Sequence, residues 1–362
     1  MYDRRMRALS TWAAVLGLAI SGVATLAHAD DDRLSRFREL SHLLSDAGDA
    51  PVPVDPDAAL AEMFALVDDE ILENLKTGEP FASPAFIQER LDAFMAAWGG
   101  AAFRVHRAGR ATDSPSLTVG VFTVPGSAPR GSLRGYGRTA TGEWSVLATS
   151  THDGVPELHP WPAGRDGTAR IAVSWLGPGS GTGGRPFVLE VWRRTARGTM
   201  ERAWTTSTPF PDGLWTLDFK VSPGQMTVRY EARYPGWKPG CDGQTEHVDV
   251  YRRDSHRDGL GLAARKVLNG WHRELQAAAA RLVAALAVDE QGAVAALVPD
   301  RGLRARLPRH LVLEPACDQR SAGGLAIVAA TEEDGARMVP WSLTWRLTPV
   351  GWRLRAATPV LE

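Results

Sequence analysis

From Ala102 to Asp254 apolar residues recur at every second position in short runs, and Gly, Pro, Asp or Ser punctuates almost every gap. That alternation is the signature of half-buried strands, since successive side chains point to opposite faces. Strands are expected near LTVGVFTV, SLRGYGR, EWSVLATS, ARIAVSW, PFVLEVWRR, MERAWTTS, LWTLDFKV, QMTVRYEARY and HVDVYRR. Many short strands without intervening helices restrict the segment to an antiparallel sandwich, a barrel or part of a propeller. Trp144, Trp161, Trp175, Trp192, Trp204, Trp215 and Trp237 recur too irregularly, and too closely, for propeller blades. A sandwich-like β domain over residues 102–256 is the expectation.

The flanks have a different period. In DDDRLSRFRELSHLLSDAG, the residues Leu34, Phe37, Leu40, Leu43 and Leu44 lie at helical spacing. ALAEMFALVDDEILENLK follows a Pro-rich break, with Asp57 as the expected N-cap, and PAFIQERLDAFMAAWGG makes a third helix with proline in its first turn. Residues 30–101 are therefore expected to be a helical segment. Beyond Asp254, the Gly-rich DGLGLA reads as a hinge into a long helix carrying Val267, Leu268, Trp271, Leu275, Leu282, Val283 and Leu286. A shorter helix, QGAVAALVP, and the strands HLVLEPA, GLAIVAATEED, MVPWSLTWRL and WRLRAATPVL complete residues 257–362. The fold class expected for the whole chain is α+β.

Two helices followed by an antiparallel sheet that ends in the Trp-rich hairpin SLTWRLTPVGWRLRAATPV resemble the NTF2-like (cystatin-related) cone fold. The resemblance covers about the last hundred residues and implies a helix-on-sheet domain. That superfamily includes enzymes, binding subunits and scaffolds, so the likeness names no activity.

At the N-terminus, DRRMR precedes the apolar run ALSTWAAVLGLAISGVATL, which ends in Ala27-His28-Ala29. A basic stretch, an apolar stretch and a small-x-small ending are the parts of a secretory signal peptide, expected over residues 1–29. An uncleaved membrane anchor is the alternative. Cleavage implies a periplasmic or extracellular protein with no stable membrane insertion. In an oxidising compartment Cys241 and Cys317, the only two cysteines, are expected to form one disulfide worth about 4 kcal/mol.

Composition narrows the function. A net charge of −1 without long runs of like charge disfavours nucleic acid as a partner. The glycine-rich stretch Gly179–Gly184 matches the spacing of a dinucleotide loop, but it joins two strands where that loop must open a helix. It is expected to be a hairpin loop, with no nucleotide and no cofactor.

Three groups of side chains carry possible chemistry. His152, Glu157 and His159 have the donor types of a metal site, although a turn with exposed polar residues is the expected reading and no metal is expected. His247 and Asp249 share one face of a strand and resemble a base and its orienter, yet no nucleophile motif accompanies them. Trp161 and Trp237 lie near loop ends, where flat rings serve as platforms for sugars or peptides. The expected function is an exported, non-catalytic cell-envelope protein that binds a glycan, peptide or protein partner through its Trp-rich β domain. The alternative is a secreted hydrolase, metal-dependent or not, built on the His and carboxylate groups.

Overall fold

In the computed structural model the described residues are 32–45, 55–108, 117–126, 128–164, 167–181, 183–254, 259–321, 323–334 and 337–360. The leader and its cleavage point lie outside them. Among the described residues no helix is long and apolar enough to cross a membrane. The chain divides into two units, residues 1–178 with 187–211 and residues 179–186 with 212–362.

The first unit begins with three helices, α1 (32–45), α2 (Pro56–Thr77) and α3 (Pro84–Ala97). The N-cap of α2 is Asp55, whose carboxylate accepts from the backbone N–H groups of Asp57 and Ala58, with Pro56 filling the first turn. The expected cap, Asp57, lies inside the helix because proline suits the first helical position and moves the cap one residue upstream of it. Strands β1 (Ala102–Ala108), β2 (Leu117–Val124), β3 (Arg130–Arg138) and β4 (Trp144–Asp153) form one antiparallel sheet in that order. Strands β5 (Val155–His159), β6 (Arg170–Leu176), β7 (Arg185–Arg194) and β8 (Met200–Thr205) form a second.

Strand β2 explains the layering. Leu117, Val119 and Val121 pack with Leu133, Ile171, Val173, Trp175 and Trp192 between the two sheets. Phe122 and Val124, of opposite parity, pack with Phe37, Met63, Phe64, Ile71, Leu91 and Phe103 under the helices. Because β2 is covered on both faces, it needs apolar residues at both parities. Gly120 belongs to this arrangement, since a Cβ there would sit 2.6 Å from the Phe122 ring. The helical segment is therefore one layer of a three-layer unit and shares its core with β1–β3.

The second unit holds β9 (Leu214–Thr216), the antiparallel sheet of β10 (Asp218–Ser222), β11 (Gln225–Glu231), β12 (Glu246–Arg253) and β13 (Leu260–Leu268), and then three helices. These are α4 (Gly270–Ala287), α5 (Gln291–Leu297) and α6 (Arg301–Arg304). They cover a final antiparallel sheet, in which β14 (Leu311–Leu313) and β15 (Gln319–Ser321) both pair with β16 (Leu325–Asp334), followed by β17 (Arg337–Thr348) and β18 (Gly351–Pro359). Leu275, Leu282, Val328, Leu343, Trp345 and Trp352 lie in the core between helices and sheet.

Two expectations change here. Strands β10–β13 form a sheet of their own and group with the C-terminal residues, because alternation identifies strands without identifying the sheet each one joins. The supposed hinge and first helical turns are strand β13, which pairs with β12 from Glu246↔Leu268 to Arg253↔Leu260. Its Ala-Ala-Arg-Lys favours a helix, but the open edge of β12 offers a full backbone ladder and outweighs that weak preference. Asn269, in the left-handed region at φ 48°, then breaks the strand, and α4 starts at Gly270.

Candidate functional site

Within the second unit a groove of about 220 Å³ is lined by Ser180, Gly184, Trp215, Leu217, Glu231, Arg233, Trp237 and Pro239. Strand β9 supplies Trp215, which alternation turns outward between buried Leu214 and Thr216, leaving it 42 % exposed. The glycine-rich 179–184 stretch is the loop between β6 and β7 and contributes Ser180 and Gly184. Leu217 follows β9, and the end of β11 with the loop after it provides Glu231, Arg233, Trp237 and Pro239. The Trp237 indole N–H donates to Glu231 Oε2 at 3.0 Å, and the Arg233 guanidinium lies 5.4 Å over the Trp237 ring. The groove thus offers an exposed indole face, a carboxylate and a guanidinium within one concavity.

The loop carrying Trp237 is held at several points. Cys241 and Cys317 are bonded, with Cα atoms 5.4 Å apart. Lys238 Nζ donates to the Ala316 carbonyl and sits 3.3 Å from Asp318 Oδ1. Gln244 accepts from the Lys238 N–H at 2.7 Å and donates back to the carbonyls of Lys238 and Cys241. Beneath them Tyr234 O–H meets His272 Nδ1 at 2.5 Å, while His272 Nε2 lies 2.9 Å from Asp318 Oδ2. Burial would raise the Asp318 carboxyl, but bonds from His272, Lys238 and Gln276 outweigh it and hold it below the ordinary range. Burial pushes the Tyr234 phenol up. His272 is buried within this network, which braces the loop.

His247 and Asp249 are not joined directly. Asp249 is fully buried and takes two bonds of 2.7 Å from Arg265 and one of 2.9 Å from the Tyr230 hydroxyl. Among the described residues His247 Nδ1 reaches that Tyr230 oxygen, at 3.3 Å, and not the carboxylate. Burial raises the Asp249 carboxyl, and the bonds from Arg265 and Tyr230 more than reverse this. Burial, then Arg265, lowers the His247 imidazole. A carboxylate engaged twice by arginine is not free to orient an imidazole, so the pair lacks the geometry of a base and its orienter.

The candidate metal donors also separate. His152 on β4 meets Glu190 Oε1 at 3.1 Å and Ser150 Oγ at 3.2 Å, both through Nε2, with its ring against Trp175. His159 on β5 contacts Ser174 Oγ at 2.8 Å, and Glu157 beside it is exposed. Among the described residues no group of three His, Cys, Asp or Glu is placed to hold a metal. Ser150, His152 and Glu190 do not form a nucleophile triad either, since such a triad needs its two partners on different ring nitrogens.

Glu190 is a fully buried acid of the first unit. Burial opposes its charge, yet bonds from His152, Arg202, Ser150 and Trp192 hold it at about 2. A carboxyl held low contributes its stability above the unfolded value of ~4.3 and loses it as pH falls toward the folded value. The pH-dependent part is ~3 kcal/mol. The stability difference between wild type and Glu190→Gln is therefore expected to stay level above about pH 5 and to shrink by most of that amount near pH 2.5. Urea unfolding at both pH values measures it, and an unchanged difference counts against the assignment.

Comparison with known protein families, with curated proteins and with solved structures gave no match. Of the residues singled out in the sequence, Trp237 lines the groove, while Trp161 lies half-buried after β5 in the first unit. Trp215, Glu231, Arg233, Glu190 and Asp318 were not anticipated. Two of them left a trace: Trp215 has outward parity in LWT, and Glu190 is a lone acid inside the apolar FVLEVW.

Proposed function

We propose that this is an exported, non-catalytic protein of the cell envelope that binds a glycan, peptide or protein partner through the groove between Trp215 and Trp237. The observation that carries the reading is the half-exposed Trp215 indole in one concavity with Glu231, Arg233 and a braced Trp237. Flat aromatic surface with few convergent polar groups is the ordinary composition of a binding site. Because Trp237 and Arg233 ride on a loop tied down by the disulfide, little ordering is lost on binding. Export is supported by the leader pattern and by the cysteine bridge, which suits an oxidising compartment. The NTF2-like likeness of the last hundred residues belongs to the same proposal, and the helices α4–α6 on a single sheet support it.

Isothermal titration of the protein against soluble envelope polymers and their fragments tests the groove. Trp215→Ala and Trp237→Ala are each expected to weaken binding by about 30-fold, the scale of an interface hot spot. Circular dichroism should stay unchanged for Trp215→Ala, since that side chain is substantially exposed. Wild-type affinity in both variants would remove the groove from the mechanism.

A further inference from the structure

We propose that the groove takes a single sugar ring bearing a carboxylate, an acidic saccharide, stacked on Trp215 and paired with Arg233. The inference rests on the groove reading above and adds the class of ligand.

Size limits the occupant first. About 220 Å³ falls below the ~300–1,000 Å³ typical of sites for drug-sized ligands, so one ring at a time fits. Charge comes next. Among the described residues no carboxylate pairs with Arg233, whose contact is the face of Trp237. A guanidinium already resting on an indole keeps its N–H edges for a planar anion and binds a carboxylate through two parallel bonds. Glu231 sets the remaining requirement. Its Oε2 accepts from the Trp237 N–H, and Oε1 is the oxygen that would accept from a ligand donor.

A ligand that satisfies all three has an apolar face for Trp215, an anionic group for Arg233 and hydroxyl donors for Glu231. A uronate ring has each of these, with its carboxylate and its ring hydroxyls on different carbons. An extended peptide fits less well. It gains affinity mainly by adding a strand to an open sheet edge, whereas six of the lining residues, Ser180, Gly184, Leu217, Arg233, Trp237 and Pro239, lie in loops.

The test is titration of the full chain with matched trisaccharides of glucuronate and of glucose, repeated with Arg233→Gln and Trp215→Ala. The glucuronate form is expected to bind at least about ten-fold more tightly, with an advantage that diminishes at high salt. Arg233→Gln should erase the difference, bringing glucuronate to the level of glucose measured with the same variant. Equal binding of the two sugars, or a preference that survives Arg233→Gln, would overturn the acidic-saccharide assignment and leave the groove reading standing. An acidic peptide such as tetraglutamate binding in place of either sugar would also overturn it. Binding that is indifferent to Trp215→Ala would bring down the groove reading itself.

Discussion

Replacing both Cys241 and Cys317 with serine is expected to lower the stability of the second unit by about 4 kcal/mol. The two residues are 76 apart in sequence, and the bridge withdraws the conformational freedom of a chain loop of that length from the unfolded ensemble. Wild type and the double variant, unfolded in urea without reductant, give the difference directly. Addition of reductant should destabilise only the wild type. The same treatment should weaken groove ligands, because the loop between Tyr234 and Gln244 carries Trp237 and Pro239 and is tied at Cys241. A loss below about 1 kcal/mol would mean that the polar contacts of the loop hold it without the bridge.

Asp318→Ala should cost a comparable amount, about 3–5 kcal/mol, for a different reason. The carboxylate is fully buried and engages His272 at 2.9 Å, Lys238 at 3.3 Å and Gln276. Its removal leaves the ammonium of Lys238, itself only 12 % exposed, without its counter-charge. Two further polar side chains, His272 and Gln276, lose an acceptor in a buried setting. Asp318→Asn keeps the shape and some of the hydrogen bonding, and should cost less. Asp318 adjoins Cys317, and both hold the loop that contains Lys238. The combined variant is therefore expected to lose less than the sum of the separate losses, and a double-mutant cycle by urea unfolding measures the coupling. Strict additivity would show that the network and the bridge act on separate parts of the unit.

Both effects concern a loop whose role was partly legible from its residues. Pro235-Gly236 and Pro239-Gly240 identify turns, and a cysteine at the tip of such a segment suggests a tether. Gly236 and Gly240 do adopt left-handed φ values of 92° and 77°. The bracing residues lie far along the chain, at His272, Gln276 and Asp318, and no local rule links them to Tyr234 or Lys238. The groove was visible only through Trp237 for the same reason. Its walls come from the 180–184, 215–217 and 231–239 stretches, which become neighbours when β9 lies beside β11 and the loop before β7 lies close by.

The strands from β2 to β4 and from β6 to β8 were readable because turn residues bound each apolar run and one face of each run meets a core. Three short strands, β1, β5 and β15, were missed: β1 pairs with β2 but carries His106 and Arg107, β5 contains a proline, and β15 is the exposed Gln319–Ser321. Strand β13 was read as the start of a helix because its own residues favour one.

By itself the order of residues determined the α+β class, the strand-rich middle with helices on either side of it, and the bond between the two sulfurs. Those depend on periodicity and on counting, which are local or nearly so. Only the tertiary structure decided which sheet each strand joined, that β2 is covered on both faces, that Tyr230 stands between His247 and Asp249, and that Trp215 shares a concavity with Arg233. Each of these is a relation between distant segments, set by backbone pairing and by the packing of layers. Alternation specifies which side of a strand is apolar, and leaves open what will cover it.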